Sequence, residues 1–94
     1  MTGKLDMVLT HYWFDEILAG RKTCEYRRVT PYWTRRIGSL KKGDYLIFRR
    51  GYTNRLLARR VERIRILDGW KIPNDEYNFF KCPNESKFFE IKFG

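Results

Sequence analysis

The sequence predicts an α+β domain with a small, strongly bent sheet or barrel. Three observations carry that prediction. About five segments alternate apolar and polar residues with the period of two that strands require. Two early segments repeat apolar residues at helical spacing, each opened by a threonine suited to capping. One long extended segment changes its apolar phase midway, as a bulge that bends a strand around a barrel would make it do.

The elements follow in order. Residues 4–9 place Leu5, Met7 and Leu9 on one parity and predict a short strand. Thr10 is the cap of the helix that follows, with Phe14, Ile17 and Leu18 as its buried stripe and Trp13 at its edge. Gly20 supplies the left-handed stop that a helix end favours. Residues 23–29 read as a strand with Cys24 and Tyr26 on one face and Thr23, Glu25 and Arg27 on the other. Lys22 lies at the joint, where parity does not set its direction. Thr30 then Pro31 open a second short helix from Tyr32 to Leu40, with Trp33 and Ile37 facing inward.

Lys41-Lys42-Gly43-Asp44 is a turn into a strand over Tyr45 to Arg50. Gly51-Tyr52-Thr53-Asn54 is a second turn, so residues 55–67 return antiparallel. Their phase change, from Leu57 and Val61 to Ile64 and Ile66, puts the bulge near Glu62 and Arg63. Residues 68–86 carry Pro73 and Pro83 and read as a long connection, pinned by Trp70 and the Tyr77-Asn78-Phe79-Phe80 group. Residues 88–93 form the closing strand.

Composition narrows the class. The 94 residues suit a single domain, and seven Phe, six Tyr and three Trp favour a packed globule over disorder. Twenty Lys and Arg against eleven Asp and Glu give a formal charge of +9, which favours an anionic partner such as nucleic acid, a nucleotide or an acidic protein. No run approaches the ~20 apolar residues that span a bilayer, and nothing resembles a signal peptide. A cytoplasmic monomer with reduced thiols is the expectation. One histidine, His11, and two separated cysteines, Cys24 and Cys82, do not supply zinc-ligand spacing. No metal or other cofactor is expected. His11, at a helix start, suits a surface or capping role, and Cys24 suits burial as a small hydrophobe.

The charged joint carries the chemistry. Lys22 offers a proton shuttle or an anion ligand. Glu25 can orient Lys22, act as a base, or accept from a nucleobase amino group. Arg27 presents a planar fork for phosphate, carboxylate or a base edge. A surface ion-pair network on an edge strand accounts for the same spacing. Further candidates for ligand or nucleic-acid contact are Gly20, Thr23, Trp13, Arg35, Arg36, Arg49 and Tyr52, since cations meet phosphates and aromatic faces stack on bases. Tyr52, on a turn tip beside Gly51, is the better placed of the aromatics.

Gly20, Lys22, Glu25 and Arg27 match the G-x-K-x-x-E-x-R signature of ASCH domains, of the PUA-like superfamily. Phe14 to Ala19, Tyr32-Trp33 with Arg35-Arg36, Gly43-Asp44, Gly51-Tyr52 and Phe89 to Lys92 extend the resemblance along the chain, most weakly over residues 68–86. The chain thus resembles small ASCH proteins of bacteria and their phages. The resemblance implies a PUA-like mixed β-barrel of five to six strands with two flanking helices. It also implies a side cleft, floored by the signature, that binds single-stranded RNA, a nucleotide or a modified nucleoside. One branch of the family hydrolyses N4-acetylcytidine, using the signature lysine, a threonine two residues after it, and a distant glutamate. Lys22 matches that lysine, but Glu25 stands at the motif's next functional position, and Thr23 comes one residue early. A binding module is therefore the first reading. A hydrolase of a modified nucleoside or of RNA, with Lys22 and Glu25 as its catalytic pair, is the second. A protein-interaction module for an acidic partner is the third.

Overall fold

The structure, a computed structural model, describes residues 3–73 and 86–94. Strand β1 (Lys4–Leu9) alternates strictly, burying Leu5, Met7 and Leu9. Thr10 caps helix α1 (His11–Leu18), its hydroxyl accepting from the Trp13 N–H at 3.4 Å. The chain leaves α1 through Gly20 at φ +83°, a conformation that a side chain strains. Strand β2 (Cys24–Arg28) follows, and then α2 (Pro31–Ile37), whose cap Thr30 accepts from the Trp33 N–H at 3.2 Å. A tight turn with Gly43 at φ +95° leads into β3 (Tyr45–Arg50). Strand β4 (Leu56–Asp68) returns antiparallel, a single turn of 3-10 helix covers Gly69–Lys71, and β5 (Lys87–Phe93) is the last strand among the described residues.

The strands form one curled, half-barrel sheet in the order β1-β3-β4-β5-β2. Among the described strands only β1 and β3 pair in parallel, because α1, β2 and α2 lie between them in the chain and return it to the same end. The register of β4 against β5 slips between Val61 and Arg63, so Glu62 is the inserted residue of the expected bulge. Below the slip β4 pairs with β3, and above it with β5. The bulge is thus the corner about which the sheet curls. Inside the curl, Leu46 and Phe48 of β3, Val61 of β4 and Ile91 and Phe93 of β5 meet Phe14, Ile17 and Ile37 of the helices. A second, smaller cluster of Tyr26, Ile72 and Phe88 packs on the outside of β2 and β5.

The structure differs from the sequence reading at three places. Leu18 is 47% exposed. The buried face of α1 is centred on Trp13, Phe14 and Ile17, which turns Leu18 about 90° away from it. Helix α2 ends at Ile37 rather than Leu40, with Gly38 capping it through an N–H donated to the Thr34 carbonyl. Trp70 is 72% exposed; Ile72, two residues on, is the buried residue, packed with Tyr26 and Phe88. The Tyr77-Asn78-Phe79-Phe80 group lies outside the described residues. Among the described residues, no helix is long and apolar enough to cross a membrane.

Ile91 is fully buried at the centre of the main core. Replacing it with alanine removes its buried surface and leaves a cavity. Urea denaturation of Ile91→Ala is expected to show a loss of about 2–5 kcal/mol. A loss under about 1 kcal/mol contradicts this placement of the core.

Candidate functional site

Strand β2 is an edge strand, and its hydrogen bonding decides which groups are left to other partners. The Phe93 N–H donates to the Thr23 carbonyl and the Val29 N–H to the Lys87 carbonyl. Residues 23, 25, 27 and 29 therefore turn their main-chain groups toward β5, and Tyr26 turns its own outward. Those outward groups are met by neighbouring side chains. Glu25 Oε1 accepts from the Tyr26 N–H at 3.0 Å, and Arg27 donates to the Tyr26 carbonyl at 3.0 Å. An open sheet edge is thereby closed to other strands.

The same Glu25 oxygen lies 3.2 Å from an Arg27 guanidinium nitrogen and 3.8 Å from Lys22 Nζ. The side chains of Lys22, Glu25 and Arg27 keep only 7%, 2% and 12% of their surface exposed. Each cation also faces an indole. Lys22 Nζ sits 4.7 Å from the Trp13 ring centroid, and the Arg27 guanidinium carbon 5.1 Å from that of Trp33. One carboxylate is held between two cation–aromatic pairs, one on each helix. Glu25 Oε2 is buried without a hydrogen-bond partner among the described residues. A buried acceptor left unbonded costs ~1–3 kcal/mol or more.

A pocket of about 240 Å³ opens beside this cluster. Tyr12, Trp13 and Glu16 of α1 wall one side, Arg21 to Cys24 and Tyr26 line the other, and Pro73 stands at the rim. Lys22 lines the pocket and also reaches Glu25, which lies behind it and outside the lining. Arg21 donates to both Glu16 oxygens, at 2.6 and 3.3 Å, tying the entrance to α1.

The Tyr26 ring is held from the far side. Its hydroxyl donates to Glu90 Oε2 at 3.0 Å, and Arg65 donates to Glu90 Oε1 at 2.6 Å. Tyr26, Glu90 and Arg65 are register neighbours across β2, β5 and β4. Burial pushes the Glu90 carboxyl up, but the bonds from Arg65 and Tyr26 outweigh it and hold the group below its ordinary value. Burial and the nearby Glu90 charge push the Cys24 thiol up, so this free, half-buried cysteine is a poor nucleophile.

The structure brings Trp13, Lys22, Glu25 and Arg27 together, with Thr23 beside Lys22 in the pocket lining and Gly20 at the turn that delivers them. Thr23 lies just before β2 rather than within it, so strand parity does not separate it from Lys22. Arg36 stacks near Tyr32 and Trp33 and donates to the Asp6 carbonyl, while Arg35 is exposed on α2. Arg49 donates to the Thr53 carbonyl in the β3–β4 turn. Tyr52, 95% exposed on that turn, is not among the residues lining the pocket. Sequence reasoning missed Glu90 and Arg65. The signal for Glu90 was an acidic residue in the middle of the apolar run Phe88-Phe89-Glu90-Ile91. Among the described residues, no group of three or more His, Cys, Asp or Glu side chains is placed to hold a metal.

No protein-family model matches the chain, and no curated protein matches it significantly. The fold and site define a small α+β half-barrel with a cation-lined, aromatic-walled cleft at the exposed sheet edge.

Two measurements check this geometry. Glu25→Ala leaves two nearly buried cations facing each other and is expected to cost about 3–5 kcal/mol in urea denaturation; a cost near zero contradicts the buried ion cluster. Glu90, Asp15 and Asp44 all sit below their ordinary values, Asp15 through its bond from Arg50 and Asp44 through bonds from the Lys41 and Gly3 N–H groups. Their stabilisation is complete above the unfolded carboxylate range, about pH 4, and is lost as pH falls through the lower folded values. Denaturation curves from pH 6 to pH 2.5 should show that decline, and Glu90→Gln should flatten it.

Proposed function

We propose that the chain is an ASCH-type, PUA-like domain whose cleft binds a nucleobase of single-stranded RNA or of a modified nucleoside. The observation that supports this best is the unbonded Glu25 oxygen, held behind Lys22 and beside an aromatic-walled pocket. The pocket offers indole and phenol faces for a base to stack on. Lys22 joins pocket to carboxylate, so a base that moves the lysine chain aside reaches Glu25 Oε2. A carboxylate only accepts; the amino groups of cytosine, adenine and guanine donate to it, whereas uracil offers only its ring N3–H between two carbonyl acceptors. Glu25 therefore selects an amino-bearing base, Lys22 is released to an anionic or carbonyl oxygen, and the formal charge of +9 supplies attraction for the backbone.

Calorimetric titration with cytidine and uridine monophosphates tests this reading. The protein is expected to prefer cytidine by about 5- to 150-fold, the range of one good base-edge contact. Glu25→Gln replaces an acceptor by a donor at Oε2 and is expected to erase or invert the preference. Equal binding of both nucleotides by the unsubstituted protein contradicts it.

A hydrolase is the second reading, favoured by one observation. Thr23 and Lys22 line the same pocket, so a hydroxyl and an amine share the space despite their adjacent positions. In that reading Lys22 is the base and Glu25 its orienting carboxylate. Incubation with N4-acetylcytidine, followed by chromatography, separates the readings. Turnover abolished by Lys22→Ala favours the hydrolase, and binding without turnover favours the module.

A further inference from the structure

A second surface lies on the opposite side of the molecule's core from the inward-facing residues. Leu5, Met7 and Leu9 of β1 and Leu46 and Phe48 of β3 point inward, so Val8, Tyr45 and Arg49 point outward. On β4 the outward positions opposite them are Arg60, facing Tyr45, and Leu56, facing Arg49. The Val61 N–H donates to the Asp44 carbonyl and the Arg50 N–H to the Arg55 carbonyl. Tyr45–Arg60 and Arg49–Leu56 are therefore non-hydrogen-bonded pairs, whose side chains stand closest together. The Arg60 guanidinium carbon lies 5.9 Å from the Tyr45 ring centroid. Val61 before the bulge and Ile64 beyond it turn inward, and Arg63, opposite Lys92, returns to this outer face.

The surface is thus mixed in a particular way. Val8, Tyr45 and Leu56 are exposed apolar groups. Arg60 and Arg63 run along one strand beside them, and Arg63 is half exposed although Glu90 lies 3.5 Å away. Over β1, β3 and the stretch of β4 from Leu56 to Arg63, the acidic side chains are Asp6 and the exposed Glu62 of the bulge, against Lys4, Arg49, Arg50, Arg59, Arg60 and Arg63. A second copy of the chain would bring arginine against arginine, an unfavourable pairing. A polyanion with flat apolar faces meets both halves of the surface.

We propose that this outer face binds single-stranded nucleic acid, with a base stacked on Tyr45 and phosphates on Arg60 and Arg63. An unpaired strand is required, because a stacking platform takes bases that are splayed out of a duplex. Arg60 and Arg63 stand on either side of the bulge at Glu62, at successive outward positions of β4, so they meet different phosphates of a strand rather than converge on one. The inference does not depend on what the cleft binds.

The test is fluorescence anisotropy with a labelled oligouridine of about a dozen nucleotides, read across a salt series. Replacing Arg60 and Arg63 together by alanine is expected to reduce the slope of log K against log[salt] by about 1.4, at 0.7 per lost phosphate contact. Tyr45→Ala is expected to weaken binding about 5- to 150-fold. Cytidine monophosphate binding should stay unchanged in Tyr45→Ala, whose side chain is remote from the pocket lining. Photocrosslinking of a 4-thiouridine-substituted oligomer to the unsubstituted protein, read by mass spectrometry, should label the Tyr45 peptide and needs no variant to fold. No oligouridine binding, an unchanged slope, crosslinks confined to Trp13 and Lys22, or a dimer that buries Val8 and Leu56 would each overturn the proposal. Loss of cytidine binding alone would overturn the cleft reading and leave this one standing.

Discussion

The placement of Glu25 is the constraint on which the rest of the structure depends. A carboxylate almost wholly out of water is costly unless its charge and lone pairs are met. It sits on an edge strand, with its side chain turned toward the helices rather than to solvent. One hydrogen bond and two cations converge on one oxygen: the Tyr26 N–H donates to it, and Arg27 and Lys22 lie 3.2 and 3.8 Å away. Those cations need company in turn, and each finds an indole, Trp13 from α1 and Trp33 from α2. The two threonine caps set where these helices start, and both capping bonds are donated by those same tryptophans' main-chain nitrogens. The helices, the edge strand and the cluster are therefore mutually dependent.

Strand β2 has two polar faces, and they do different things. Its inner face carries Glu25 and Arg27 into the ion cluster. Its outer face carries Cys24 and Tyr26 to the pocket, with Tyr26 fixed from behind by Glu90 and Arg65. Glu90 is fully engaged, each oxygen bonded, and it stiffens the pocket floor. Glu25 is engaged through one oxygen only. That contrast separates the two buried carboxylates: one has both oxygens bonded, and the other has one oxygen without a hydrogen-bond partner among the described residues. Lys22 lines the pocket and lies 3.8 Å from Glu25, so the pocket and that carboxylate share one side chain.

Much of the local structure was legible in the residues. The threonine caps, the Gly20 stop, the alternation of β1 and the bulge at Glu62 each follow from contacts within a few positions in the chain. So does the split between Glu25 and Arg27 on one face and Cys24 and Tyr26 on the other. What escaped was set by distant partners. The Tyr26–Glu90 bond spans 64 positions and the Arg65–Glu90 bond 25, and no local pattern announces either. Leu18 fits a helical stripe as well as Trp13 does, and only the sheet beneath decides which is covered. Tyr52 had the composition of a stacking residue, yet its turn stands apart from the pocket-lining residues. The ion cluster was half legible: spacing grouped Lys22, Glu25 and Arg27, but their depth depended on two helices closing over an edge strand.

The central claim is that Glu25 holds an acceptor in reserve for a ligand. Carbon-13 NMR of the glutamate side-chain carboxyls reads it directly, with the Glu25 signal assigned by its loss in Glu25→Gln. Titration with cytidine monophosphate is predicted to move that one resonance, with the Glu90 signal little changed, and uridine monophosphate is predicted to leave it in place. A cytidine complex that forms without moving the Glu25 resonance, or one that moves it no more than uridine does, would contradict the account.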